Sequence, residues 1–360
     1  MWYEKAWLNT FGIKYPIIQA GMAGGPTTPQ LVAAVSEAGG LGTIGAGYLT
    51  PEKLRADILE VKRLTNKPFG VNVFVPSEPV ANEDVLVEKT KAILEPIRSR
   101  LAANWPSSVT SQPISTEDQL QVILEEKVPF LSFTFGLLKD ETLSTFKEQG
   151  VYIMGTATTV EEAVLLEKTS VDAIVLQGVE AGGHRGTFGP TDPEQGLIGL
   201  MALIPQVKAV TKKPLIAAGG IMNGAGMLAA MVLGADGVQC GTAFLTCHEA
   251  GTHPLHKAKI QTAAETDIVT TTGVTGRASR GISNALTQNL KDFEKEIAPY
   301  PLTNQLTSDI RKQAGLNGET DYMSLWAGQG LRLHREWSAK ELVHTFIKEG
   351  TVALENLNRL

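Results

Sequence analysis

His184 is the residue through which this sequence most directly offers chemistry. It closes the run Glu180-Ala-Gly-Gly-His184, directly after the apolar segment Ala173–Gln177. An imidazole on a glycine-supported loop can take a proton from an acidic carbon or hydrogen-bond an anionic substrate; the bland alternative is a solvent-facing loop histidine. Gln177 supplies an amide that both donates and accepts, suited to the edge of a planar heterocycle. Two further runs, Ala217-Ala-Gly-Gly-Ile221 and Gln239-Cys-Gly-Thr-Ala-Phe244, bring Gly219, Gly220, Gly241 and the Thr242 hydroxyl. Glycines let backbone N–H groups approach phosphate oxygens, although they also serve tight turns.

The elements that would hold these residues recur as strand–helix units. Strands are expected at Ile17–Ala20, Leu41–Ala46, Phe69–Phe74, Phe130–Phe133, Val151–Gly155, Ala173–Gln177, Leu215–Ala218 and Gly237–Cys240. Helix signals lie between them: Thr28-Pro29, Thr50-Pro51, a capping box over Thr159–Glu162, and Asn223 with Gly234 bounding a helix. Eight such units with short connections favour an α/β fold closed as a (β/α)8 TIM barrel over an open doubly wound sheet. In a barrel the strand ends meet at one mouth, so Gly21, Met22, Asn72, Gln177 and the two glycine loops converge there. Loops after strands seven and eight commonly form a barrel's phosphate site.

Residues 76–112 form an insertion after strand three, helical over Asn82–Ala103, and residues 250–330 form an extra lobe or lid after strand eight. Residues 1–75 and 113–249 make the barrel, to which 331–360 return through a helix over Ser338–Glu349. The run 273–282 is poor in helix formers and reads as an ordered loop; its Arg277 and Arg280 either clamp an anion or are plain surface charges. Arg185 reads as a surface or lid residue.

Other signals fade on inspection. Gly40-Leu-Gly-Thr-Ile-Gly45 has the dinucleotide spacing but follows a helix and enters a strand, the reverse of what that motif requires. His248, His253 and His256 near Cys247 lack metal-ligand spacing, so no metal is expected. Cys240 reads as a small buried residue at a strand end, with a nucleophile as the alternative. The 360 residues carry a net charge of -6 with no basic block, which argues against nucleic acid. No apolar run approaches the ~20 residues of a membrane span. Met1–Tyr15 lacks a signal-peptide pattern, and there are only two cysteines; a reduced, cytoplasmic location is the expectation.

The chain resembles the nitronate monooxygenases, once called 2-nitropropane dioxygenases. The resemblance rests on Pro16–Met22, Gly70–Val73, Gln177–Gly186, Ala218–Ile221, Gln239–Phe244, Thr275–Gly281 and Leu325–Gly330, and it runs through nearly the whole chain. It implies FMN held by Asn72, Gln177, Gly182, Gly219 and Gly220, and by the loop Gln239, Cys240, Gly241 and Thr242. Gly21 and Met22 would lie against the flavin ring, Gln329 would approach it, and His184 would be the active-site histidine. It further implies oxidation of an alkyl nitronate such as propionate 3-nitronate by O2, through an anionic flavin semiquinone, to a carbonyl compound and nitrite. A helix dipole, a protonated histidine or an arginine would stabilise that anion. The rival on the same fold is an NAD(P)H-dependent flavin reductase acting on enoyl-acyl-carrier or quinone substrates; more distant is a non-catalytic barrel that binds a phosphate ligand. Substrate and oligomeric state, a homo-oligomer included, stay open.

Overall fold

The computed structural model describes residues 1–76, 80–189 and 196–359; residues 77–79 of the expected insertion lie outside them. Eight parallel strands form the central sheet. They are β1 (Ile17–Gln19), β2 (Gly42–Gly45), β3 (Phe69–Phe74), β4 (Phe130–Thr134), β5 (Tyr152–Ala157), β6 (Ala173–Gln177), β8 (Leu215–Ala218) and β9 (Gly237–Cys240). A two-residue strand, β7 (Gly183–His184), lies outside that sheet. The ring closes where Ile18 bridges Leu41 in parallel, with Gln19 N donating to Leu41 O and Leu41 N to Ile17 O, both at 2.9 Å. The expected TIM barrel is thus the architecture, with every strand where the apolar runs put it.

Strand alternation sorts the core into two layers. On β6, Ala173 and Val175 face inward with Phe130, Tyr152, Met154 and Ile216, whereas Ile174 and Leu176 pack outward under the helices. The N-terminal segment joins the inner layer. Trp7 stacks on Tyr152 at 5.6 Å and Phe11 packs on Phe130 at 4.6 Å, stopping the barrel's floor with aromatic rings. Inward positions one step higher are polar: Asn72, Ser132, Thr134, Thr156 and Gln177. The apolar fill therefore ends where the cavity begins.

Helix ends follow the expected chemistry, with one revision. Thr28, Thr50 and Asn223 cap their helices through side-chain oxygens. Thr159 also accepts from Glu162 N, but the Glu162 carboxylate does not return to complete a box. It is fully buried and accepts instead from Thr158, Phe188 and Gly189 backbone N–H groups. A carboxylate in that position gains more from three orphaned donors than from one already near solvent.

The two stretches outside the repeat share one apolar core. Val87, Leu94 and Ile97 of helix Glu83–Arg100 pack with Ile282, Leu286, Leu302, Leu306, Ile310 and Leu325. The run 273–282 is only partly a loop, since its second half forms a strand. Here β10 (Ile268–Thr271) pairs antiparallel with β11 (Ser279–Ile282), which pairs with β7. Short strands with Arg and Gly carry too little periodicity to be read from sequence. The last helix starts at its Ser338 cap as expected but continues to Leu357. Among the described residues, no helix is long and apolar enough to cross a membrane.

Phe130 is fully buried between barrel floor and inner layer. Replacing it with alanine should cost about 3–5 kcal/mol, read as a lower denaturation midpoint with unchanged secondary structure. A loss below about 1 kcal/mol would mean that the floor collapses around the gap.

Candidate functional site

A cavity of about 940 Å³ lies over the carboxyl ends of the barrel strands. The structure brings together there Gly21, Met22, Asn72, Gln177, Gly182, His184, Gly219, Gly220, Gln239, Cys240, Gly241 and Thr242. Gln329 is the exception. Its side chain is exposed and only its neighbours Gly328 and Gly330 line the cavity, while its N–H donates to Glu180 O at 3.0 Å. Cys240 contributes through its backbone position, because its side chain packs in the outer core and burial pushes the thiol up to about 12. That removes the nucleophile alternative, which needs thiolate.

His184 is fixed from three sides. As β7 it pairs with Ser279 on β11. Gln177 at the end of β6 donates from Nε2 to His184 O at 3.0 Å and accepts from Gly186 N at 2.8 Å. Its amide therefore holds the histidine loop. Arg185 does not sit at the surface: it is buried and donates to the carbonyls of Gln177, Thr158 and Gly196. An arginine in the glycine-rich run 182–186 reads as exposed from sequence, but the carbonyls of Thr158 and Gln177 at the ends of β5 and β6, and that of Gly196, need donors. Glu162, through Phe188 and Gly189, pins the chain on the far side.

Rings and cations surround the imidazole. Phe135, Tyr300 and Trp326 lie 5.6–6.1 Å from it, ring centre to ring centre. The Arg277 guanidinium stacks 3.9 Å over Phe135 and donates to Arg185 O, so it packs beside the cavity, without being one of its lining residues, rather than standing as a plain surface charge. Arg280 instead donates to Val179 O at 2.7 Å, bracing the loop after β6. Arg311 was not visible as a site residue in the sequence, where it is one cation on an ordinary helix, Ser308–Asn317. Its guanidinium is half-buried with its free surface on the cavity, and it donates to Thr307 O, Asn304 O and Ser324 Oγ. Arg277 and Arg311 have carbonyl and hydroxyl partners; among the described residues neither forms an ion pair with a carboxylate, and no carboxylate lines the cavity.

Burial, then the charges of Arg277 and Arg311, push His184 down to about 3. It is neutral at physiological pH, so a protonated histidine is not the source of positive potential; the guanidiniums are. Burial holds Arg277 at about 10, still charged. Two further histidines line the same cavity and bond to backbone. His253 Nδ1 accepts from Leu255 N, and buried His256 bonds Trp326 O through Nε2 at 3.1 Å. Among the described residues, no group of three His, Cys, Asp or Glu side chains is placed to hold a metal.

Comparison with known proteins agrees along the length of the chain. Residues 5–349 match the family model described as nitronate monooxygenase. A probable nitronate monooxygenase of Staphylococcus saprophyticus is 44% identical over 348 residues, 96% of this chain and 97% of that protein. Among solved structures, a nitroalkane oxidase from Streptomyces ansochromogenes superposes with a TM-score of 0.89 at 37% identity, covering 97% of this chain and 99% of the other. FabK from Thermotoga maritima gives 0.76 at 30%, covering 97% of each.

Two histidines in this region carry a pH consequence. Burial lowers His184 to about 3 and His256 to about 4 from an ordinary 6.5. The unfolded chain takes up protons near 6.5 that the folded protein refuses, so stability is complete above 6.5 and falls as pH drops towards 4. Thermal midpoints should decline over that interval, and a His184→Asn/His256→Asn double variant should show a shallower decline. An identical slope in the variant would assign acid sensitivity to other groups.

Proposed function

This chain belongs to the nitronate monooxygenase family, and we propose that it binds FMN and oxidises small alkyl nitronates with O2 to a carbonyl compound and nitrite. One observation carries the reading: Arg311, Lys312 and a neutral imidazole line a cavity into which no carboxylate points among the described residues. Partly desolvated guanidiniums without acidic partners favour an anionic ligand, since the anion supplies the charge compensation the protein withholds. A nitronate is such an anion. Propionate 3-nitronate, with a second negative charge, suits the same end of the cavity.

The glycine loops support the cofactor. Gly219 has φ +130°, and a Cβ there would stand 3.0 Å from Ala181 N; Gly220 has φ +66°. Positive φ and the close loop after β6 keep both positions glycine, and the bare backbone they leave beside the cavity suits a phosphate or ribityl chain. Thr242 Oγ1 accepts from Gly328 N at 2.9 Å, which leaves its proton to donate. Asn72 and Gly21, within contact distance of one another, line the same cavity. Bound along these residues, FMN would supply the redox centre between nitronate and O2.

His184 then acts as a neutral hydrogen-bonding group. Taking a proton from a neutral nitroalkane would place an imidazolium beside Arg277 and Arg311, which both lower its affinity for protons. The site therefore suits substrate that arrives already as the anion. The surrounding rings exclude water and keep the interaction strong.

Purified protein reconstituted with FMN should lose its oxidised flavin bands on anaerobic addition of propionate 3-nitronate and release nitrite when air is admitted. Bands untouched by nitronate but bleached by NADPH would transfer the assignment to a reductase, and no flavin retained would end it. A preformed nitronate should be turned over ~100-fold more efficiently than its neutral nitroalkane, the scale of a missing general base. Arg311→Met should lower kcat/KM about tenfold or more, a charged hydrogen bond's worth, with flavin retained. Gly219→Ala should weaken flavin binding instead.

A further inference from the structure

Thr275 is fully buried, and its Oγ1 lies 3.0 Å from His184 Nε2. It stands on the tight turn before β11, where Gly276 N donates to Thr272 O at 2.8 Å, so its position relative to the ring is set by the same sheet that carries His184. Two other partners are within reach of its hydroxyl: Arg277 O, an acceptor at 3.2 Å, and Ser279 Oγ at 3.4 Å. Arg277 O already accepts from Ser279 Oγ at the shorter distance of 2.9 Å.

A threonine hydroxyl has a single proton to give, and a neutral imidazole has one nitrogen that donates and one that accepts. Nε2, at 3.0 Å, is closer to the hydroxyl than Arg277 O, which also accepts the nearer Ser279 proton, and this makes Nε2 the better-placed acceptor for the Thr275 proton. The ring's own proton then resides on Nδ1, the nitrogen left for a ligand. We infer that Thr275 is a positioning residue that donates to His184 Nε2 and holds the imidazole as its Nδ1–H tautomer, so that a neutral ring presents an N–H to an anionic substrate. The hydroxyl resolves a conflict built into the site. Two guanidiniums forbid the doubly protonated ring, yet an anion is best met by a donor, and one fixed proton satisfies both conditions. Ser279 takes part by donating to the competing carbonyl from the shorter distance.

The inference rests on the reading of His184 as the substrate-facing group, but its test does not need substrate. Ring nitrogen NMR of the flavin-loaded protein, labelled at its six histidines, reports the tautomer directly, with His184→Gln assigning the signal. The expected result is a protonated Nδ1 and a hydrogen-bonded, unprotonated Nε2. Thr275→Ser should keep that pattern, whereas Thr275→Val should shift the proton towards Nε2. With nitronate, Thr275→Val should raise KM about tenfold with a smaller change in kcat, since the lost contact is a hydrogen bond to charge, and Thr275→Ser should restore it to within about twofold. An Nε2–H ring in the unaltered protein overturns the inference, as does a Thr275→Val protein with the Nδ1–H tautomer. An Nδ1–H ring in a protein inert to nitronate overturns the functional reading and leaves this one standing.

Discussion

The pairing of Gly183–His184 with Ser279–Arg280 is the constraint on which the site depends. It is a two-residue strand, yet it joins the loop after β6 to the lobe built from the insertion and the post-barrel segment. On one side, Gln177 and Arg185 tie that loop to barrel strand ends. On the other, β11 continues into β10 and bridges Trp326 through Gly281. The imidazole is therefore referenced to both halves of the cavity at once, the placement within fractions of an ångström that reactive geometry requires.

Four arginines nearby share a way of being held. Arg185, Arg277, Arg280 and Arg311 each donate to backbone carbonyls rather than to a carboxylate. Carbonyl dipoles satisfy the N–H groups, while Glu162 and Glu180 offset part of the charge of Arg185, Arg277 and Arg280 without pairing with them directly. Burial, and then Arg277 and Arg311 of these four, depress His184, so the groups that brace the loops also set the protonation of the ring.

The sequence made the barrel legible because eight apolar runs of strand length alternate with capped helices, and closure follows from that count. The mouth was legible for the same reason, since Gly219, Gly220, Asn72 and Thr242 stand at strand ends by position alone. Arg311 was hidden because nothing in its helix marks one cation as inward-facing; its role comes from folding 127 residues away from His184. Arg185 was misread because its partners, the carbonyls of Thr158 and Gly196, are created only by the fold. Gln329 stands apart from the cavity because the turn at Gly328 and Gly330 presents backbone there and sends the side chain outward.

The aromatic stop at the barrel floor restricts how the cavity is reached. Trp7, Phe11, Phe130 and Tyr152 seal the axis from below, so the chamber is a cul-de-sac in that direction. Whatever binds in the cavity has to arrive and leave on the side of the strands' carboxyl ends, so both passages use the same face of the barrel.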